Sequence, residues 1–166
     1  MPAATPTPLL QIFVYGSLMR TGEFHDEFCR DALSIAEARV LGQLDTAGRW
    51  PVLTVPESIV LAVGTTDPLA DLAAQDRIAA FADSADVLAP SGLARTTSMT
   101  AEGGPHAEWD MIAGELITLD DAPTRLPALD LLEGYHSGAG SLYRRVLLPV
   151  RIAETGEVEV AWGWVA

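Results

Sequence analysis

The chain contains no lysine: its ten basic residues, at positions 20, 30, 39, 49, 77, 95, 125, 144, 145 and 151, are all arginine. That absence removes a Schiff-base lysine, a pyridoxal phosphate anchor and the lysine of a phosphate-binding P-loop. Cys29 is the only cysteine, which excludes an intrachain disulfide and a cysteine-built metal cage and fits a cytoplasmic protein. Histidine is scarce as well. His25, His106 and His136 offer no pair at i and i+4 on one helix with a third ligand, so no metal site is expected. Positive charge is outweighed, with a net charge of −13, so neither a nucleic acid nor an anionic membrane is an expected partner. Long apolar runs are missing too: Ile59 to Val63 is far short of the ~20 residues that span a bilayer. The stretch from Met1 to Pro8 lacks the basic start of a secretory signal. Ser17, Ser137 and Ser141 lack the glycine pattern of a nucleophile elbow, which leaves a serine hydrolase without support.

What is present is enough apolar residue for one core, 49% of 166 positions. Leu9 to Tyr15, dense in β-branched and aromatic residues, reads as a buried first strand ending in a turn at Gly16 and Ser17. A helix is expected from Glu23 to Ala32, with acidic residues near its start. Strands are expected at Ser34 to Leu44 and Trp50 to Val55, with Ser58 to Val63 as a further extension of the sheet. Asp67 and Pro68 form a helix start for Leu69 to Ala82, whose buried stripe would be Leu72, Ile78 and Phe81. From Asp83 to Asp110 periodicity is lost and a long loop is expected. A strand resumes at Met111 to Leu119, Asp120 or Asp121 caps a helix up to Glu133, and Pro123 and Pro127 fit near its first turn. The final strands are Tyr143 to Ile152 and Glu157 to Val165, the last alternating between Val158, Val160, Trp162 and Trp164 on one face and Glu157 and Glu159 on the other. Strands interrupted by helices without regular alternation describe a single α+β domain over 1–166 whose mixed sheet closes on itself.

Within this frame Glu133 stands out. It lies in the last turn of an apolar helix, where the backbone carbonyls already carry partial negative charge and a carboxylate is disfavoured. The leucines at 126, 129, 131 and 132 and the ring of Tyr135 would supply a dry setting, and both effects raise a carboxyl pKa. A group of that kind can shuttle protons. The plainer reading is an exposed, solvated glutamate at a helix end.

The ordered segments Val14-Tyr15-Gly16-Ser17-Leu18, Gly42-Gln43-Leu44, Pro51-Val52-Leu53, Gly114-Glu115-Leu116, Leu129-Asp130 with Leu132-Glu133-Gly134-Tyr135, Tyr143-Arg144-Arg145 and Ala161-Trp162 resemble the gamma-glutamylcyclotransferase-like family, in particular its AIG2-like branch. The resemblance implies a small mixed β-barrel with flanking helices and a lyase reaction needing neither metal nor cofactor. In that reaction the free α-amine of a γ-glutamyl amine or peptide attacks its own γ-carbonyl, releasing 5-oxoproline and an amine. Carried over residue by residue, Glu133 matches the catalytic glutamate. Tyr15, Gly16, Ser17 and Leu18 match the substrate cradle, and Tyr143 matches the pocket tyrosine, its hydroxyl free to meet substrate or Glu133. Arg144 is a neighbour only. The chain departs from the family between Leu53 and Ile112, where a long insert, at about 56–110, could cover the pocket, mediate a homodimer or be solvated.

Other residues carry weaker readings. Glu115 could pair with Glu133 as a two-carboxylate glycosidase, but a structural reading is favoured for it, as an exposed strand position or equally as a buried partner for an arginine. His136 could edge the pocket but reads more readily as an exposed loop residue, and Trp109 could wall the pocket but reads more readily as part of the core. Tyr143-Arg144-Arg145 could equally be an edge strand with solvated arginines. A non-catalytic small-molecule binding or regulatory module on the same fold remains the alternative function.

Overall fold

The computed structural model describes residues 9–16, 18–20, 22–48, 51–65, 67–84, 109–133 and 143–166, with the backbone alone at 81–84. The seven strands are β1 (Leu10–Val14), β2 (Ser34–Asp45), β3 (Val52–Thr54), β4 (Ala62–Val63), β5 (Asp110–Leu119), β6 (Arg144–Ile152) and β7 (Val158–Val165). The three helices are α1 (His25–Phe28), α2 (Pro68–Ser84) and α3 (Ala122–Leu132).

The sheet runs β3-β2-β5-β1-β7-β6-β4, and β2 also pairs with β6. That second pairing, Ala38 with Ile152 and Arg39 with Arg151, closes β2, β5, β1, β7 and β6 into a five-stranded barrel. β3 and β4 extend it as short additions. The β1–β7 pairing is parallel and the others are antiparallel, so the barrel is mixed as expected.

Closure sorts the side chains into two cores, because successive residues of a strand point to opposite faces. One cluster contains Phe13, Ala38, Val40, Leu116, Val146, Leu148, Val150, Ala161 and Val165, and fills the barrel. The other contains Ile12, Val14, Ile117, Leu119, Leu147, Trp162 and Trp164, and lies beneath Leu72 of α2 and Ala122, Leu126 and Leu129 of α3. The alternation read from the sequence implies a last strand buried on one face only, and that expectation is corrected. Val160 to Val165 is buried on both faces, since one face lines the interior and the other is covered by helices.

The helices are placed by local chemistry and by partners distant in sequence. Asp67 Oδ1 accepts the amides of Leu69 at 3.0 Å and Ala70 at 3.3 Å, the N-cap expected at the start of α2. α2 buries Leu72 and, unexpectedly, Asp71 and Gln75; of the expected stripe, Ile78 is half-buried and the Phe81 side chain lies outside the described residues. Gln75 takes the place of a strand neighbour for β1, accepting the Gln11 amide at 3.1 Å and donating to the Leu9 carbonyl at 2.9 Å.

Several boundaries differ from expectation. α1 is one short turn, not a helix from Glu23 to Ala32: it stops at Cys29, and Asp31 then adopts a φ of 61°. Glu57–Ile59 forms a single 3-10 turn behind Pro56, so only Ala62–Val63 joins the sheet there, pairing with β6. Ser84 is still helical, which shortens the expected loop; 85–108, including His106, lies outside the described residues, as does Trp50. Pro127 sits inside α3 and not in its first turn. It removes a helical hydrogen bond at a cost of about 3 kcal/mol, and the buried side chains of Leu126 and Leu129 on either side offset that loss. No described helix is long and apolar enough to cross a membrane.

Candidate active site

β1 delivers its C-terminal end into a turn that begins at Tyr15 and Gly16. The Met19 amide donates to the Gly16 carbonyl at 3.0 Å and the Gly22 amide to the Met19 carbonyl at 2.6 Å. A Cβ on Gly16 would stand 3.1 Å from Pro51 Cγ, so glycine permits the close approach of this turn to the segment entering β3.

The turn is held from below. Glu115, buried on β5, accepts the Arg20 amide and the Arg20 Nε, each at 2.7 Å. Leu18 is buried, and its carbonyl lies 2.8 Å from His25 Nδ1 of α1. Of the two structural readings open from the sequence, Glu115 is thus the buried arginine partner and not an exposed strand position, and both of its oxygens are committed to shaping the turn. Ser17 lies outside the described residues.

Two tyrosines meet at this end of the barrel. The Tyr15 hydroxyl donates to the Trp164 carbonyl at 2.7 Å and accepts the Leu53 amide at 3.2 Å. The Tyr143 hydroxyl donates to the Pro51 carbonyl at 3.1 Å. Its proton is committed, so the Tyr143 oxygen can meet a further partner only as an acceptor. The expectation that this hydroxyl hydrogen-bonds substrate or Glu133 is narrowed accordingly to accepting.

Glu133 caps the C-terminus of α3, its amide donating to the Leu129 carbonyl at 3.0 Å. Burial of the carboxyl raises its pKa from the ordinary 4.5 to about 7. Burial also pushes both tyrosines up; at Tyr15 the Leu53 hydrogen bond opposes this, and Tyr143 and Glu133 then reinforce it. At Tyr143 the nearby Glu133 charge adds to burial. Glu133, Tyr15 and Tyr143 therefore share one electrostatic environment, beside Gly16 and Pro51. Gly134, Tyr135, His136, Ser137 and Ser141 lie outside the described residues.

The two arginines that follow Tyr143 differ, Arg144 being partly exposed and Arg145 not solvated. Arg144 forms an ion pair with Glu57, and its Nε donates to the Ala166 carbonyl at 3.2 Å. Arg145 is fully buried. Its Nε donates to Asp130 Oδ1 at 2.8 Å, its Nη2 to Asp71 Oδ2 at 2.8 Å and to the Thr65 carbonyl at 3.2 Å, and its guanidinium lies 4.9 Å from the Trp162 ring centroid. Sequence reasoning missed this network. The available signals were a charge heading the apolar run Val146 to Val150, and Asp71 and Gln75 spaced i, i+4 on one helix.

Among the described residues no group of three or more His, Cys, Asp or Glu is arranged to hold a metal ion. Trp109 packs half-buried against the barrel core, matching its structural reading.

No protein-family profile matches the chain, and no curated protein sequence matches it. Among solved structures it is similar to an AIG2-like protein from Mus musculus, with 19% identity and a TM-score of 0.48, covering 95% of this chain and 77% of that one.

Proposed function

We propose that the protein is a gamma-glutamylcyclotransferase-type lyase, converting a γ-glutamyl amine or γ-glutamyl peptide to 5-oxoproline and the free amine. The supporting observation is Glu133: a carboxyl whose pKa lies near 7, in one environment with Tyr15 and Tyr143 and beside a glycine turn. The ordered motifs from Val14 to Trp162 supply the reaction class.

The chemistry explains why so few groups suffice. Attack is intramolecular, so holding the γ-glutamyl group folded supplies much of the acceleration. The substrate ammonium must first lose a proton. Ionised Glu133 takes it, and the Tyr143 oxygen, with its own proton on Pro51, can accept from the same ammonium group. The nitrogen then bonds to the γ-carbon, and the oxyanion that forms is held by backbone N–H groups at the start of the turn after β1, those of Met19, Arg20 and Gly22 being already given to acceptors within the protein. Collapse breaks the original amide bond, and protonated Glu133 returns its proton to the departing amine. In balance the ammonium gives up two protons on becoming the lactam N–H, and the amine takes up two to leave as an ammonium ion. A carboxyl with a pKa near 7 exchanges protons in both directions at neutral pH.

A cytoplasmic location, which the single cysteine fits, and a small-molecule partner belong to this proposal. The test is incubation of the purified protein with a panel of γ-glutamyl amines, dipeptides and conjugates, with 5-oxoproline measured directly. Product formed by wild type and abolished in Glu133→Gln supports the reading. Equal silence from both overturns it, and binding of a γ-glutamyl compound without turnover would leave a binding module in its place.

A further inference from the structure

Arg145 is among the largest fully buried side chains of the protein, and it sits between two carboxylates on two different helices. A buried cluster of this kind is a poor source of stability, because desolvating the charges offsets most of their attraction and apolar residues of similar volume often serve as well. Its use must be sought in what it holds in place.

The cluster is built for close contact. A Cβ on Gly64 would stand 2.8 Å from Arg145 Cζ, so glycine makes room for the guanidinium on one side, while the Trp162 ring lies within 4.9 Å of it. Asp71 is pinned in turn, accepting the Thr65 amide at 3.0 Å and the Thr65 hydroxyl at 2.8 Å. Asp130 Oδ1 receives Arg145 Nε at 2.8 Å and also Trp164 Nε1 at 2.9 Å. Burial raises the Asp130 pKa, Arg145 opposes this directly and through its hydrogen bond, Trp164 opposes it as well, and Asp71 adds to the rise.

Both ends of the network lead to the candidate site. Asp130 is three residues before Glu133, on the last turn of α3 and C-terminal to Pro127. Arg145 is two residues after Tyr143. Trp164, which donates through its indole to Asp130, receives the Tyr15 hydroxyl on its carbonyl. The chain Asp71, Arg145, Asp130, Trp164, Tyr15 therefore ties α2, β6, α3, β7 and the turn after β1 into one arrangement. The Arg145–Asp130 link joins the element that carries Glu133 to the one that carries Tyr143.

We propose that Arg145 and Asp130 are positioning residues for Glu133, fixing the last turn of α3 against β6 so that the Glu133 carboxyl stays inside the site opposite Tyr143. This rests on Glu133 being the proton shuttle for its catalytic consequence, but the positioning itself can be measured without any substrate. A second-layer pair of this sort acts through geometry, and a displacement of about 1 Å at a reacting group can cost roughly a hundredfold in rate.

The experiment uses Asp130→Asn, which keeps an oxygen for Trp164 but removes the charge facing Arg145, and Trp164→Phe, which keeps a ring but removes the indole donor. Each is checked for folding by circular dichroism and cooperative melting. The Glu133 carboxyl is then titrated by carbon NMR of glutamate-labelled protein, with Glu133→Gln identifying its resonance. In wild type the midpoint is expected near 7. In the folded variants it is expected to fall by about half a unit or more as the carboxyl swings toward water. With an active substrate from the panel, kcat is expected to fall roughly ten- to hundredfold with KM changed less than about twofold. Folded variants with an unmoved midpoint and wild-type kcat overturn the proposal, whatever their melting temperatures. Should no substrate be turned over by wild type, the lyase reading fails while the titration still decides the positioning role. Should Asp130→Asn fail to fold, Trp164→Phe decides it.

Discussion

The Tyr15 hydroxyl donates to the Trp164 carbonyl at 2.7 Å while accepting the Leu53 amide at 3.2 Å, so one side chain from the end of β1 ties β7 to β3. With its proton given and its oxygen engaged, the hydroxyl has little left to offer a ligand. Tyr15 is therefore a strut of the candidate site.

Removal of that hydroxyl in Tyr15→Phe leaves the Leu53 amide and the Trp164 carbonyl without a partner. A loss of about 1–3 kcal/mol is expected, from two hydrogen bonds whose remaining halves are partly buried. Chemical denaturation checks it: the midpoint should fall with an unchanged slope, because the folded surface is the same. Activity should drop less than in Glu133→Gln. A wild-type midpoint would show that water replaces the hydroxyl at no cost.

Glu115 discriminates between two chemistries. Its carboxylate is spent on the Arg20 amide and guanidinium, both at 2.7 Å, so it serves the shape of the turn and not proton transfer. Glu115→Gln keeps one oxygen for the Arg20 amide but loses the ion pair, whose arginine half is 50% exposed and accordingly screened. About 1 kcal/mol of stability and a rise in KM are expected, with kcat within roughly tenfold of wild type. A variant as silent as Glu133→Gln would restore the two-carboxylate reading.

Gly114 is where the barrel is least tolerant. A Cβ there would stand 2.3 Å from the Val14 carbonyl oxygen and 2.6 Å from Phe13 Cζ, inside both the strand pairing and the ring that fills the interior. Neither neighbour is the loose end of a flexible chain. Gly114→Ala should destabilise by at least about 1–3 kcal/mol through overpacking and displace the adjacent Glu115 from Arg20. A thermal melt within a degree of wild type would contradict this.

What could be read from the sequence divides along a physical line. Strands β1, β2, β5, β6 and β7 and the capping of α2 by Asp67 were legible because periodicity, β-branching and caps are local properties. Glu133 was legible for the same reason, since a carboxylate at a helix end is anomalous within one turn of chain. Arg145 was not, because the partners that bury it, Asp71 and Asp130, stand 74 and 15 residues away, and a lone arginine after Tyr143 looks like a surface charge. α1 shrank to one turn because helix length depends on what covers it, and none of its residues is buried. Closure of the barrel was legible only as an architecture, since the pairs that seal it are Ala38 with Ile152 and Arg39 with Arg151, neither of which carries a pairing signal.

The pH dependence of Glu133 separates function from stability in one residue. Its folded pKa of about 7 exceeds the ordinary 4.5 it has when unfolded, so between those values the folded state binds the extra proton. Stability is then fullest below about pH 4.5, falls as pH rises toward 7, and levels off above it, where a buried carboxylate is held charged. Glu133→Gln carries no such penalty. At pH 8 the variant should be more stable than wild type, on the order of 2 kcal/mol, and at pH 4 the two should coincide. The proposed activity runs the other way: as proposed, it needs the ionised carboxylate to accept the ammonium proton, so the wild-type rate should climb through pH 7 to a plateau while the variant stays flat near zero. Denaturant titrations at the two pH values give the stability difference, and a pH–rate profile gives the second limb. Equal stabilities at pH 8 would place the Glu133 carboxylate in water and remove the physical basis of its proposed role as a proton shuttle.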